Sequence, residues 1–402
     1  MKKSKKICML LISALVVCAM VISVLVLHFN TAPTVRLGFY GVSPKVQNAI
    51  LETIQANSNV KLQVTANINP PFKNCDLVIF QNDAPTATFM RKNSKSLNPA
   101  LLSGYPSSLQ KAVELSSGDG VKVLPFLYDF YEIDINYPLY TKAGIDSVDV
   151  WEDLIVCAYK EKPLTPAPML LPFATDAEFL NCVGMIAEAL CGYEEYEKMI
   201  EEFRIASEAE ASVEESEADF TSLHRVLETL TAEDKILGST LGEIKSLLRS
   251  GIIPRNALTF SDEDVFFYMD NELSGVNFTK LSQHRKVSKQ AANHLISVYC
   301  PSVEATPERK FSADCICVSA LKKNKNALRF VGLLSDDWQN ELATKTGLAP
   351  VQKNSLVPDH QADDVRFWLA ASKGPVLPLA RVFFTPEQQQ FAATYLRTAL
   401  KL

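Results

Sequence analysis

Residues 124–154 read LPFLYDFYEIDINYPLYTKAGIDSVDVWEDL, and the fold turns on how this stretch is understood. It opens as an apolar strand at Leu124, then becomes aromatic and polar by turns at Tyr128, Asp129, Phe130 and Tyr131. Asp134-Ile135-Asn136 leads into a short Leu-Tyr-x-x-Ala-Gly-Ile segment, and Val150-Trp151-Glu152-Asp153-Leu154 begins a helix. A strand sends successive side chains to opposite faces, so about half of Tyr128 to Tyr131 shares any one face.

Upstream, residues 34–39 read as a strand and 44–57 as a helix, with Ser43 as its cap and Pro44 in its first turn. Val46, Ala49, Ile50 and Ile54 recur at helical spacing. Residues 60–66 alternate as a second strand, and 76–80 form a third that is apolar from Leu77 to Phe80. That order opens a parallel α/β sheet. Ligands of such sheets lie beyond the carboxyl ends of the strands, which points to Tyr40-Gly41 after the first strand and Asn82-Asp83 after the third.

Downstream, residues 169–173 form a short strand ending at Phe173, and 178–190 an amphipathic helix with Phe179, Cys182, Met185, Ile186 and Ala189 on one face. Between Tyr193 and Asp219 there are 11 Asp or Glu against Lys198 and Arg204, which suits a solvated helix or a mobile insertion. Helical spacing resumes at Thr221 and runs to Leu248 with one break, at Gly238.

The opening stretch resembles the crossover strand of type 1 extracellular solute-binding proteins, the maltose-binding-like family that serves ABC importers. Asn136, Leu139, Tyr140, Ala143, Gly144, Ile145, Trp151 and Leu154 fall in register with that pattern, while Ile135 and Tyr137-Pro138 depart from it. Two further stretches resemble the family in the right order. The first is Cys315 to Ser335, with Asn326, Ala327, Phe330 and Leu334 in register, and the second is QNELATKTGLAPV from Gln339 to Val351. The segment Ala371 to Pro378 resembles the one before the family's last helix.

The resemblance implies a periplasmic-binding-protein-like α/β fold, two lobes joined by crossover hinge strands and preceded by one N-terminal transmembrane or signal helix. It implies a first lobe from 33–133 and 305–334, and a second from 134–304 and 335–402, the latter carrying the acidic insertion 193–219. By the family's order Phe173 faces the first lobe across the cleft. Residues 262–271 take the place of a strand with a ligand-facing turn, which brings in Asn271. The family's Asp-Lys pair after the first strand is replaced here by Val42-Ser43, and its cleft tryptophan is missing.

The N-terminus carries the clearest physical signal. Lys2, Lys3, Lys5 and Lys6 precede 23 nearly apolar residues, Ile7 to Phe29. At about 1.5 Å per residue such a helix spans the ~30 Å hydrocarbon core, and the lysine side stays cytoplasmic. The expectation is an uncleaved inner-membrane anchor holding the rest outside the cytoplasm; cleavage after Ala32 and lipidation of Cys18 stay open. Seven cysteines follow the anchor in no zinc or disulfide spacing and read as buried small hydrophobes.

Net charge is −6, and the acidic stretch alone holds −9, so no basic patch suggests nucleic acid. Five scattered histidines and the lack of nucleophile-elbow, zincin or P-loop motifs leave no catalytic constellation, cofactor site or metal site. The expected function is capture of a small polar solute, a sugar before others, by a monomer that delivers it to ABC permease subunits. Its candidate contacts are Tyr40, Asn82, Asp83, Tyr128, Asp129, Phe130, Tyr131, Phe173 and Asn271. The alternative is the same fold reused as an envelope sensor or structural partner.

Overall fold

One strand belongs to both halves of the molecule. The computed structural model describes residues 34–400 apart from 59, 67, 118–119, 212–219, 305–307, 335–337 and 354–366. The N-terminal segment expected to anchor the chain lies outside the described residues. Among those described, no helix is long and apolar enough to cross a membrane.

β1 (Thr34–Tyr40) pairs in parallel with both β2 (Lys61–Thr65) and β3 (Leu77–Gln81). Next along the chain come β4 (Leu124–Asn136), β5 (Ala167–Leu170), β6 (Ser274–Lys280) and β7 (Leu295–Val298). β8 (Phe311–Ala320) and the two-residue strands β9 (Ala349–Pro350) and β10 (Pro375–Val376) complete the set. The order across the network is β2-β1-β3-β8-β4-β6-β5, with β10 on β8 and with β7 and β9 on β4.

β4 changes partner between Phe130 and Tyr131. Leu124 to Phe130 pair antiparallel with β8, whereas Tyr131 to Ile135 pair antiparallel with β6. The hydrophobic core divides at the same peptide bond: Phe130 packs in the first cluster with Val35, Phe39, Ile79 and Val318, and Tyr131 in the second with Leu171, Phe179 and Phe278. Twelve of the strand's 13 residues are buried, the pattern of a strand covered on both faces. The first lobe takes helix Pro44–Asn57, capped by Ser43, and the second takes helix Asp176–Cys191, closed by a Thr175/Glu178 capping box.

Several expectations need correction. The crossing on β4 comes at 130/131, before the expected 133/134. Trp338, Leu342, Ala349, Val351 and Leu369 pack into the first core, so the chain passes to the second only between Leu369 and Val376, not at 334/335. Residues 262–270 are a helix, not a strand: Ser261 and Asp264 form a capping box and three acids occupy the first turn, where the helix dipole favours them.

The acidic stretch is a packed helix, Tyr193–Ala211, burying Tyr196, Met199, Phe203, Ala206 and Ser207; residues 212–219 lie outside the described set. The break expected at Gly238 falls instead between Leu230 and Ile236. Gly238 lies inside the following helix, where a Cβ would meet the Ala232 carbonyl oxygen at 1.9 Å, so only glycine lets the preceding turn pass so close. The seven cysteines described are free thiols, six of them buried, and Cys315 and Cys317 share a face with their sulfurs 3.3 Å apart.

Candidate functional site

The alternation of β4 sorts its aromatic and acidic residues between two faces. Asp129 and Tyr131 point one way, together with Asp314 of β8, which stands opposite Asp129 in register. Tyr128 and Phe130 point the other way, with Cys315 and Ala313, and pack ring against ring at 5.5 Å.

On the first face, charged side chains from both lobes converge. Arg381 donates to Asp314 Oδ1 at 2.9 Å, and the Tyr131 hydroxyl donates to Asp314 Oδ2 at 3.3 Å. Asn181 donates to the Tyr131 oxygen at 2.6 Å and accepts from the Ala380 amide, so that hydroxyl has a fixed direction. Lys280, the last residue of β6, stands 3.3 Å from Asp262, 3.9 Å from Asp314 and 5.0 Å from the centre of the Tyr131 ring. Asp129 accepts from both the amide and the hydroxyl of Ser282, at 2.9 and 2.7 Å.

These contacts set the protonation states. Burial works against the Asp314 carboxylate, but Arg381 and Lys280 outweigh it and hold its pKa below the ordinary value. Burial also works against the Lys280 ammonium, and Tyr131, Asp314 and Asp262 overcome it and raise the pKa. Burial raises Asp129, with Lys280 and Ser282 opposing the rise. Tyr40 and Asp83 reach the same neighbourhood: burial raises both, and each feels the Arg381 charge. Asp83 also caps helix Ala84–Asn93 through the Thr86 amide at 2.8 Å, so part of its role is local.

Of the nine candidates, the structure brings together Asp129 and Tyr131, with Tyr40 and Asp83 within electrostatic reach of Arg381. Asn82 and Tyr128 line a separate cavity of about 180 Å3 on the opposite face, with Leu109, Val113 and Cys317. Phe130 is core beside Tyr128. Phe173 is core as well, packed edge-on against Phe179 at 5.3 Å. Asn271 caps the end of helix Asp262–Asp270, bonds back to the Phe267 carbonyl and is exposed.

Sequence reasoning missed Lys280, Asp314, Arg381 and Asp262. Asp314 carried a signal, a lone acid inside the apolar run Ala313 to Val318. Its partners are remote in sequence and gave none.

Two further volumes flank the hinge. On the charged face, the cavity among Tyr131, Cys182, Met185, Asp262 and Lys280 measures about 10 Å3, at most one water. On the other face a groove of about 1370 Å3 runs between helices Ser107–Ser117 and Tyr193–Ala211, lined by Lys111, Tyr193, Glu197, Lys310, Trp368 and Lys373. The groove is the larger space. The charged face is the one at the carboxyl ends of β1, β3 and β6, where ligands of such sheets lie, so we take it as the candidate site.

No protein-family model matches the chain, and no curated protein matches it. Solved structures do. The bacterial solute receptor AcbH, described as having an exclusive preference for β-D-galactopyranose, superposes with a TM-score of 0.64 at 10% identity over 92% of this chain and 99% of its own. A sugar transporter from Bacillus licheniformis in complex with stachyose gives 0.61 at 12% identity, over 92% and 96%. Maltose-bound MalE3 of T. maritima gives 0.58 at 11% identity, over 92% and 99%. The chain therefore has the two-lobed fold of these solute receptors, as the three sequence stretches implied.

Proposed function

We propose that this chain is an extracytoplasmic solute-binding protein that captures a small polar solute, a sugar before others, between its lobes for an ABC importer. The observation that carries the reading is the convergence of Asp129, Tyr131, Lys280, Asp314 and Arg381 from both lobes on the strand ends. Carboxylates, a guanidinium and a fixed phenol are the donors and acceptors that sugar hydroxyls need, and the tyrosine ring adds an apolar face. A solute touching both lobes when closed and one when open shifts the hinge equilibrium by the difference in contact energy. Binding, not catalysis, is the chemistry this arrangement offers.

A 10 Å3 cavity admits no sugar, so the charge pairs must part for one to enter. The same observation favours a second reading, in which these pairs lock the lobes and the fold serves as an anchored envelope sensor or structural partner. A thermal-shift screen of the full chain in mild detergent, against sugars, polyols, polyamines and small peptides, separates the two. A ligand at 100 times its Kd stabilises by about 2.7 kcal/mol, and that shift is lost in Asp314→Asn if the site is the charged face. No shift with any compound leaves the second reading standing.

A further inference from the structure

Beyond the crossing at Tyr131, β4 carries two more acids, and they do not belong to the interlobe cluster. Glu132 and Asp134 lie two apart on one face of the strand and are fully buried. His284, from helix Leu281–His284, covers that face with its Nδ1 at 3.1 Å from Glu132 Oε1 and 2.8 Å from Asp134 Oδ1. Ser297 of β7, in register with Asp134, donates to the same Oδ1 at 2.7 Å and stands 2.9 Å from the imidazole nitrogen.

Hydrogen bonding alone leaves this cluster short of donors. One Nδ1 proton serves one acceptor fully, and three oxygens converge on it. Glu132 Oε2 and Asp134 Oδ2 have no partner, and neither does Oδ1 of Asn277, which pairs with Asp134 across β6. No lysine or arginine pairs with either carboxylate among the described residues. Buried acceptors left this way call for more positive charge than the single ring of His284 can place beside two carboxylates.

We propose that Glu132, Asp134 and His284 bind a divalent transition-metal cation, with Zn2+ as the species of choice. One imidazole nitrogen and two carboxylate oxygens form a donor set suited to zinc, and the nitrogen sets it apart from an all-oxygen calcium or magnesium site. The ligand atoms all lie within 4.8 Å of one another. Ligands bound at about 2.1 Å to a common ion stand roughly 3.0–3.4 Å apart, so small side-chain shifts suffice to admit one. The charge closes as well: a neutral imidazole, two carboxylates and a dication sum to zero. Ser297, half-buried on the short strand β7, marks the route from solvent, and a water or the orphaned Asn277 oxygen completes the coordination. The ion would tie the hinge strand to helix Leu281–His284 and to β7, on the second-lobe side of the crossing.

The test is zinc titration of the full chain in mild detergent, after chelator treatment, by calorimetry and by metal analysis of the gel-filtered protein. The expected result is one Zn2+ per chain. Glu132→Gln, close in shape, and the pair Asp134→Asn/His284→Gln should weaken binding by more than the roughly 10–100-fold that loss of a ligand's outer partner costs. Co2+ in place of Zn2+ should give visible absorption that Glu132→Gln diminishes, a readout available if the double variant does not fold. No uptake by the wild type overturns the proposal. So does unchanged affinity in the variants, which places the ion elsewhere.

Discussion

Glu161, the last residue of helix Trp151–Glu161, is fully buried, and neither carboxylate oxygen has a hydrogen-bond partner within normal distance. Gly275 of β6 packs against it so closely that a Cβ there would meet Oε2 at 1.9 Å. Burial pushes the Glu161 pKa up to about 8, and the neighbouring Cys157 thiol, a weak donor, offsets this only in part. A carboxyl whose folded pKa lies above its unfolded one leaves stability intact below about pH 4.5. Stability is then lost as pH rises, and the loss is complete above about pH 8, for a total on the order of 4–5 kcal/mol. Glu161→Gln keeps the volume and removes the charge, so its urea midpoint should fall by less from pH 5 to 9 than the wild type's. Parallel curves for the two proteins would show that Glu161 is ionised at no cost. A glutamate ending a helix gives no sequence sign of such burial. Asp314, alone in an apolar strand, did give a sign, though it could not name Arg381 or Lys280 as partners.

Among the elements, those whose local chemistry and apolar period agree were legible, as in helix Pro44–Asn57 with its Ser43 cap and the buried strand Leu77–Gln81. One element read only by its position within the resemblance was not. Residues 262–270 stood where a strand was expected, yet Ser261 and Asp264 dictate a helix start, and the local capping signal was the better guide. The acidic helix Tyr193–Ala211 shows how composition hides periodicity. Its acids fill the exposed faces, while Tyr196, Met199 and Phe203 follow one another at helical spacing onto the second core. Phe203 is fully buried against Phe383 at 5.7 Å. Phe203→Ala should therefore destabilise by about 3–5 kcal/mol, which a urea titration followed by circular dichroism would detect. A loss under about 1 kcal/mol, the usual range for exposed sites, would mean the helix is detachable from the lobe.

At the scale of the molecule, the resemblance placed both lobes in outline but misjudged where the chain crosses. Residue type alone does not say that Phe130 and Tyr131, two adjacent aromatics, serve different cores. The hinge strand β4 and its first-lobe partner β8 separate the shut charged face from the open groove, so a rotation that parts the first narrows the second. Arg381→Gln tests this coupling. It removes the cation 2.9 Å from Asp314 and leaves Lys280, at 3.9 Å, as the remaining one among the described residues. Breaking a buried pair costs about 3–5 kcal/mol, and since Arg381 keeps about a third of its side chain exposed, the cost here should be nearer 1–3 kcal/mol. That is enough to tip a two-state hinge. Small-angle scattering should show a larger radius of gyration for the variant, and tryptophan emission should shift to the blue. Trp368 lines the groove whereas Trp151 and Trp338 are buried, so the emission change reports on the groove itself. Expansion without the emission shift would mean the lobes separate by some motion other than rotation about β4. No change in either would mean that the contacts of Tyr131, Asn181 and Ser282 hold the face shut without the arginine.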